Sequence, residues 1–215
     1  MTRRRLPPWR AVAVLLCLLP LQACTRAVDG VPTPGPVASP VGSPGELGEL
    51  IVTEVASGLP RFADQELDPP AGAKRVEDIA EYSDDPARER QVLEDYGYRY
   101  GWERFWGHGS GPVTGVFVDQ FETRAGAGAY AADLASNDFE RYRGMLQEDP
   151  PDLPGGCRLL LVEDEPDVGL SGPAAFVWCG RGAFSVSVTS VAGTVEAAEQ
   201  EVRAVLEEQL DRLPP

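Results

Sequence analysis

The sequence predicts an α+β domain, an antiparallel sheet packed by helices on one face and stapled by one disulfide. Three observations carry this. Residues 157–162 and 174–179 are strand-like runs joined by a loop rich in Asp, Glu, Pro and Gly. In residues 183–191, Phe184, Val186 and Val188 alternate with Ser185, Ser187 and Thr189, the period of a strand with one wet face. Finally, Val195, Ala198, Val202, Val205, Leu206, Leu210 and Leu213 recur at helical spacing, as one apolar stripe of a helix.

In chain order, residues 50–55 read as a short strand, and residues 76–96 as helical in at least their second half. Residues 112–121 read as a strand. Thr123 then caps a helix from Arg124 to about Ser136, with Ala127, Tyr130, Ala131 and Leu134 on one face. A hairpin centred near Val168 sets Cys157 opposite Cys179, Leu159 opposite Val177 and Leu161 opposite Ala175. In an exported chain such a pair reads as a structural disulfide. It closes a loop of about 22 residues and stabilises by roughly 3 kcal/mol on the chain-entropy model. Cys-x-x-Cys spacing, the mark of a redox pair, is missing. A three-residue turn at Gly180-Arg181-Gly182 would set Trp178 opposite Phe184 and Phe176 opposite Val186, subject to a one-residue bulge. One face would then gather Leu160, Val162, Phe176, Trp178, Phe184, Val186 and Val188 as the core. Thr194 caps the last helix, and Pro214-Pro215 follow its end.

The N-terminal residues carry a different message. Arg3, Arg4, Arg5 and Arg10 precede an apolar run over residues 11–21, about half the roughly 20 residues a spanning helix needs. A charged start followed by a short apolar run is an export signal. Its end, Leu21-Gln22-Ala23-Cys24, resembles the bacterial lipobox, in which cleavage leaves the cysteine first. The resemblance implies a diacylglyceryl thioether on Cys24 and a further acyl chain such as palmitate on its amine, and two or more chains hold a protein stably on a bilayer. Cleavage after Ala27 by the general export peptidase, giving a secreted, non-lipidated domain, is the rival reading. Residues 25–48 hold Pro32, Pro34, Pro36, Pro40 and Pro44 among Gly and Ser, the composition of a tether. The expected organisation is a signal peptide over 1–23, a lipidated cysteine and tether over 24–48, and one extracytoplasmic domain over 49–215.

Removing residues 1–23 takes four of the 19 basic residues and none of the 34 acidic ones, leaving 15 against 34 and a formal net charge of −19. Such acidity argues against nucleic-acid partners and serves solubility. One lysine, Lys74, against 18 arginines and one asparagine, Asn137, is the bias of a GC-rich genome and suggests an actinobacterium.

Catalytic and cofactor motifs are weak. Gly126-Ala127-Gly128-Ala129-Tyr130-Ala131 fits Gly-x-Gly-x-x-Ala, but it lies inside the Ala-rich helix beyond the Thr123 cap rather than at a strand-to-helix turn. Small residues that let the helix lie close on the sheet explain it better. The only histidine, His108, sits two residues from Ser110 on a Gly-rich loop, where a triad would be poorly held. The acidic run Glu163, Asp164, Glu165 and Asp167 lacks the ligand spacing of a known calcium loop. No metal, cofactor or catalytic residue is assigned.

The most distinctive stretch is 96–106, where Tyr96, Tyr98, Tyr100 and Trp102 alternate as along one strand face. It reads as a core or edge strand with amphipathic aromatics. Its functional reading is a ligand platform of Tyr98, Tyr100 and Trp102, with Arg99 and Arg104 supplying charge. Gly97-Tyr98-Arg99-Tyr100-Gly101-Trp102, then Gln120-Phe121-Glu122-Thr123 before the Ala-rich helix, then a late Cys and Gly-Arg-Gly-Ala-Phe-Ser-Val-Ser-Val resemble the small α+β domains of actinobacterial surface lipoproteins of uncharacterised function. More remotely they are similar to the extracellular sensor domains of mycobacterial receptor-type kinases. The resemblance covers roughly residues 90–213 and implies a non-catalytic binding or accessory role. The expected protein is therefore anchored in the membrane by lipid and faces an envelope protein, glycan or lipid. An enzyme acting on envelope polymers is the alternative.

Overall fold

The computed structural model describes residues 41–163 and 169–215. The expected export signal, Cys24, the expected tether up to residue 40 and the acidic residues Asp164, Glu165 and Asp167 lie outside the described residues. Seven strands, β1 (Gly72–Lys74), β2 (Tyr98–Gly107), β3 (Val113–Phe121), β4 (Met145–Glu148), β5 (Arg158–Val162), β6 (Ala174–Arg181) and β7 (Phe184–Val191), form one antiparallel sheet in the order β1-β2-β3-β7-β6-β5-β4. Among the described residues five α-helices join it: α1 (Pro44–Leu50), α2 (Val76–Ala80), α3 (Pro86–Asp95), α4 (Arg124–Tyr142) and α5 (Val195–Arg212). The helix α4 carries the chain from the middle of the sheet to its far edge, and β4 to β7 return as a meander until β7 pairs with β3.

The α+β class, the antiparallel sheet and the disulfide are as the sequence predicts. Leu159 pairs with Val177 and Leu161 with Ala175, and the same register brings Cys157 to Cys179, with Cα atoms 4.3 Å apart and the sulfurs bonded. Thr123 and Thr194 both cap their helices, accepting from the amides of Gly126 and Ala197 at 3.0 and 3.2 Å. The helix α4 runs to Tyr142, beyond the expected end near Ser136.

Three expectations are corrected. The β6–β7 turn has two residues, Gly182 and Ala183, with Gly182 in the left-handed region at φ 55°, so Arg181 pairs with Phe184. Trp178 therefore lies opposite Ser187, not Phe184. Because side chains alternate along a strand, this register sends Phe184, Val186 and Val188 to the face opposite Phe176 and Trp178. The expected single apolar face is two faces, and the helices, expected on one side, cover both. Beneath α5 lie Val116, Val118, Leu159, Val177, Val186 and Val188, packed on Val202, Val205, Leu206 and Leu210. Beneath α4 lie Leu160, Val162, Phe176 and Trp178, against Ala131 and Ala135.

The second correction concerns residues 50–55, which form no strand. The third concerns the end of the tether. Ser43 caps α1, Pro44 opens it, and Val41 and Leu47 are buried in the α5-side core, so residues 41–48 belong to the folded domain.

One of the two glycines expected to let α4 lie close on the sheet is a contact point, and what it meets is the end of α3. A Cβ on Gly126 would stand 2.0 Å from the carbonyl oxygen of Tyr96, whereas one on Gly128 would meet nothing within 4 Å. Gly126→Ala is expected to destabilise the domain by about 2 kcal/mol or more through forced displacement of α4. Gly128→Ala is expected to stabilise it by roughly 0.5–1 kcal/mol through helix propensity alone. Urea unfolding of the two variants separates these opposite signs.

Candidate functional site

The aromatic strand β2 does not present one platform. Its register against β3 shifts between Tyr98 and Tyr100, and this bulge changes the phase of the alternation. Tyr98 pairs with Phe121 and meets its ring edge-on, on the α4 side. Tyr100, Trp102 and Arg104 turn to the opposite side, where residues 41–53 lie over them. The Tyr100 hydroxyl donates to the Val41 carbonyl, and the Trp102 ring packs on Gly48, where a Cβ would stand 2.7 Å away. Arg104 donates to the carbonyls of Gly48, Ile51 and Val52 at 3.2, 3.1 and 2.7 Å. Only Arg99 of the five residues is exposed. The structure thus brings three of them together beneath the chain's own N-terminal segment and separates the other two.

This segment has no strand partner, and buried side chains take that place. Gln209 of α5 accepts from the Val52 amide at 3.0 Å and donates to the Leu50 carbonyl at 3.1 Å. Glu201 accepts from the Ser57 amide and hydroxyl at 2.8 and 2.6 Å, and from Thr114 at 3.2 Å. Burial lowers the Arg104 pKa to about 10, which leaves the guanidinium charged at neutral pH.

The opposite face of the sheet is built differently. Its apolar residues fall into two clusters, one under α4 and one where Phe121, Ala127 and Tyr130 meet Ile79, Ala80 and Leu93 of α2 and α3. Between them a cleft of about 500 Å³ opens over β2, β3, β7 and β6. Phe176 and Trp178 rise from β6, and Tyr142, at the end of α4, stacks on Phe176 with ring centroids 5.1 Å apart. Phe176 and Trp178 are themselves stacked at 5.9 Å. Phe117, Leu134 and Leu170 complete an apolar wall. A smaller cavity of about 260 Å³ continues toward Phe62 and Pro69, sharing Tyr82, Glu103, Val113 and Phe117.

Under these walls the floor is polar. Glu103, Asp119 and Ser187 point from adjacent strands into the cleft and are all less than a tenth exposed. One oxygen of Glu103 is held by Lys74 at 3.0 Å and by the Tyr82 hydroxyl at 3.0 Å, and Lys74 also donates to Tyr82 and to the Pro70 carbonyl. Its other oxygen, Oε1, has no hydrogen-bond partner among the described residues, and neither has the Ser187 hydroxyl. Asp138 adds a third carboxylate from α4. Among the described residues no three of His, Cys, Asp or Glu are gathered closely enough to hold a metal ion. Such buried, unsatisfied acceptors beneath apolar walls are the features of a small-molecule site.

Sequence reasoning passed over these residues. The available signals were a carboxylate inside the apolar run Val116-Phe117-Val118-Asp119, and a single lysine in a chain that otherwise uses arginine. His108 is exposed on the β2–β3 connection and does not line the cleft.

Burial, reinforced by the charge of Glu103 and opposed by the neighbouring Tyr98 hydroxyl, raises Asp119 from 3.8 to about 7. Burial raises Asp138 to about 6, and raises Glu103 against the pull of Lys74.

Two outcomes are expected. Arg104→Met strands three carbonyls and should cost roughly 3 kcal/mol in urea unfolding, with new protease cleavage within residues 41–57. The cleft carboxylates are all easier to protonate when folded than when unfolded. Their contribution to stability is therefore full at low pH and is lost as pH rises through the folded values. The melting temperature should fall by a few degrees between about pH 5 and pH 8, and Asp119→Asn should remove the largest part of that fall.

No family model matches the sequence, and no curated protein matches it. Among solved structures the chain is similar to the extracellular domain of PknH from Mycobacterium tuberculosis, at 12% sequence identity and a TM-score of 0.46, over 79% of this chain and 97% of that one.

Proposed function

We propose that this chain is a lipid-anchored, extracytoplasmic and non-catalytic binding domain whose ligand is a small, partly apolar molecule held in the cleft over β2, β3, β7 and β6. The cleft itself carries the reading. It has the volume for a small molecule, a stacked aromatic wall, and polar atoms at its floor that the described residues leave without partners. An unmade hydrogen bond to a buried group costs about 1–3 kcal/mol, which a ligand supplying the partner recovers. The export signal, the Cys24 lipobox and the Cys157–Cys179 bridge support placement outside the cytoplasm, where a disulfide persists. Acylation at Cys24 would hold the cleft near the membrane surface, within reach of envelope molecules.

The test is to extract the native protein from membranes and analyse it by mass spectrometry. The expected result is a mature chain beginning at an acylated Cys24, with a co-purifying small molecule. An unmodified start at Val28 overturns the anchoring. Adding that molecule to the purified domain should change the emission of Trp178, the one tryptophan in the cleft, and Trp178→Phe should abolish the change. An emission change retained in the variant places binding elsewhere.

A further inference from the structure

We infer that the molecule taken by the cleft is an organic cation, an amine or quaternary ammonium on an apolar body, with its charged head seated at Glu103 and Asp119, Asp138 further along the cleft wall, and its body against Phe176 and Trp178. The inference rests on the cleft being a binding site and adds the chemistry of its ligand.

Charge count is the first argument. Three carboxylates face the cleft; Lys74, behind Glu103, is already held by Glu103, Tyr82 and the Pro70 carbonyl, and Arg141, the cation beside Asp138, lies over the Tyr142 ring, so that Glu103 and Asp119 have no free cation facing them. An anionic head would meet two further carboxylates with no free positive partner among the described lining residues. The second argument is hydrogen-bond polarity. Glu103 Oε1 is a pure acceptor when ionised, it is buried, and it lacks a donor. An ammonium brings donors and charge together, the stronger kind of hydrogen bond. The third is the apolar wall that Phe176, Trp178, Phe117 and Leu134 present, against which the alkyl part of such a molecule gains from burial. The acidity of the whole chain, formally −15, works in the same direction by raising the local concentration of cations.

The groups that face Asp119 are Glu103 from β2, Tyr98 from the start of that strand and Tyr130 from α4, with Tyr82 and Lys74 behind Glu103. None of them is an unpaired cation, so a cationic head entering the cleft would be the first positive charge to face Asp119 directly. It favours the ionised carboxyl, so binding should strengthen as pH rises through neutrality.

The experiment compares four probes of one chain length, decylamine, decanol, decanoate and decyl glucoside, each below its micelle concentration, by titration calorimetry with Trp178 emission as a second readout. Decylamine is expected to bind at least about tenfold more tightly than the other three near pH 8, a difference that narrows near pH 5.5. Asp119→Asn should reduce the preference for decylamine severalfold. Asp138→Asn, a change on the surface of α4 that leaves the sheet intact, should reduce it in the same direction should the first variant fold poorly. Decanol or decyl glucoside binding as tightly as decylamine, or a preference unchanged in both variants, overturns the cationic assignment and leaves the cleft as a site for neutral ligands. If none of the four binds while a co-purifying molecule does, that molecule's own charge decides the assignment. If neither the probes nor any native molecule affects Trp178, the binding reading itself fails.

Discussion

The sheet is covered on both faces, so every polar side chain on its central strands must find a partner from another part of the molecule or from a ligand. A buried polar group without one is costly. The two faces meet this demand in different ways, and the difference organises the protein. On the α5 side the chain supplies backbone partners to its buried polar residues itself, leaving Trp102 Nε1, Arg104 Nε and Gln120 Oε1 without one among the described residues. Arg104, Gln209 and Glu201 are buried, and each is matched to backbone groups of residues 48–57, which cross the face without a strand partner. A single continuous apolar cluster results.

On the α4 side the covering is divided. The helix α4 lies over β5, β6 and β7, while α2 and α3 pack near β1 and β2; the later part of α4 forms one apolar cluster with the sheet, and its first turns, through Ala127 and Tyr130, form a second with α2 and α3. The gap between them falls over the part of the sheet that carries Glu103, Asp119 and Ser187. Gly126 allows the close approach of α4 to the Tyr96 carbonyl at the end of α3. The cleft thus lies over the polar part of the sheet, walled by α4 on one side and by Ile79 and Tyr82 on the other.

The elements with strong periodicity or caps were legible in the sequence. Thr123 and Thr194 open helices, residues 157–162 and 174–179 pair in the expected register, and the disulfide follows from that register. The one-face core was misread because a two-residue turn at Gly182 and Ala183 shifts β7, and such a shift reverses every side chain of the strand. The platform on β2 was misread for a related reason. A bulge after Tyr98 changes the phase, and nothing local in residues 41–53 announces that they return to cover Tyr100, Trp102 and Arg104. Asp119 and Glu103 were passed over because an acidic residue in a strand ordinarily faces water, and only a second covering layer makes its burial informative.

By itself the sequence determined the α+β class, the cap positions and the Cys157–Cys179 bridge, because each rests on local spacing or on a pairing between neighbouring strands. Tertiary structure alone decided that the sheet is sandwiched between helices, that the aromatic strip is covered by the chain's own N-terminal segment, and that Glu103, Asp119 and Asp138 line one cleft with a stacked aromatic wall. Those outcomes depend on which face each strand presents and on which distant segment lands there, and a one-residue change in turn or bulge reverses both.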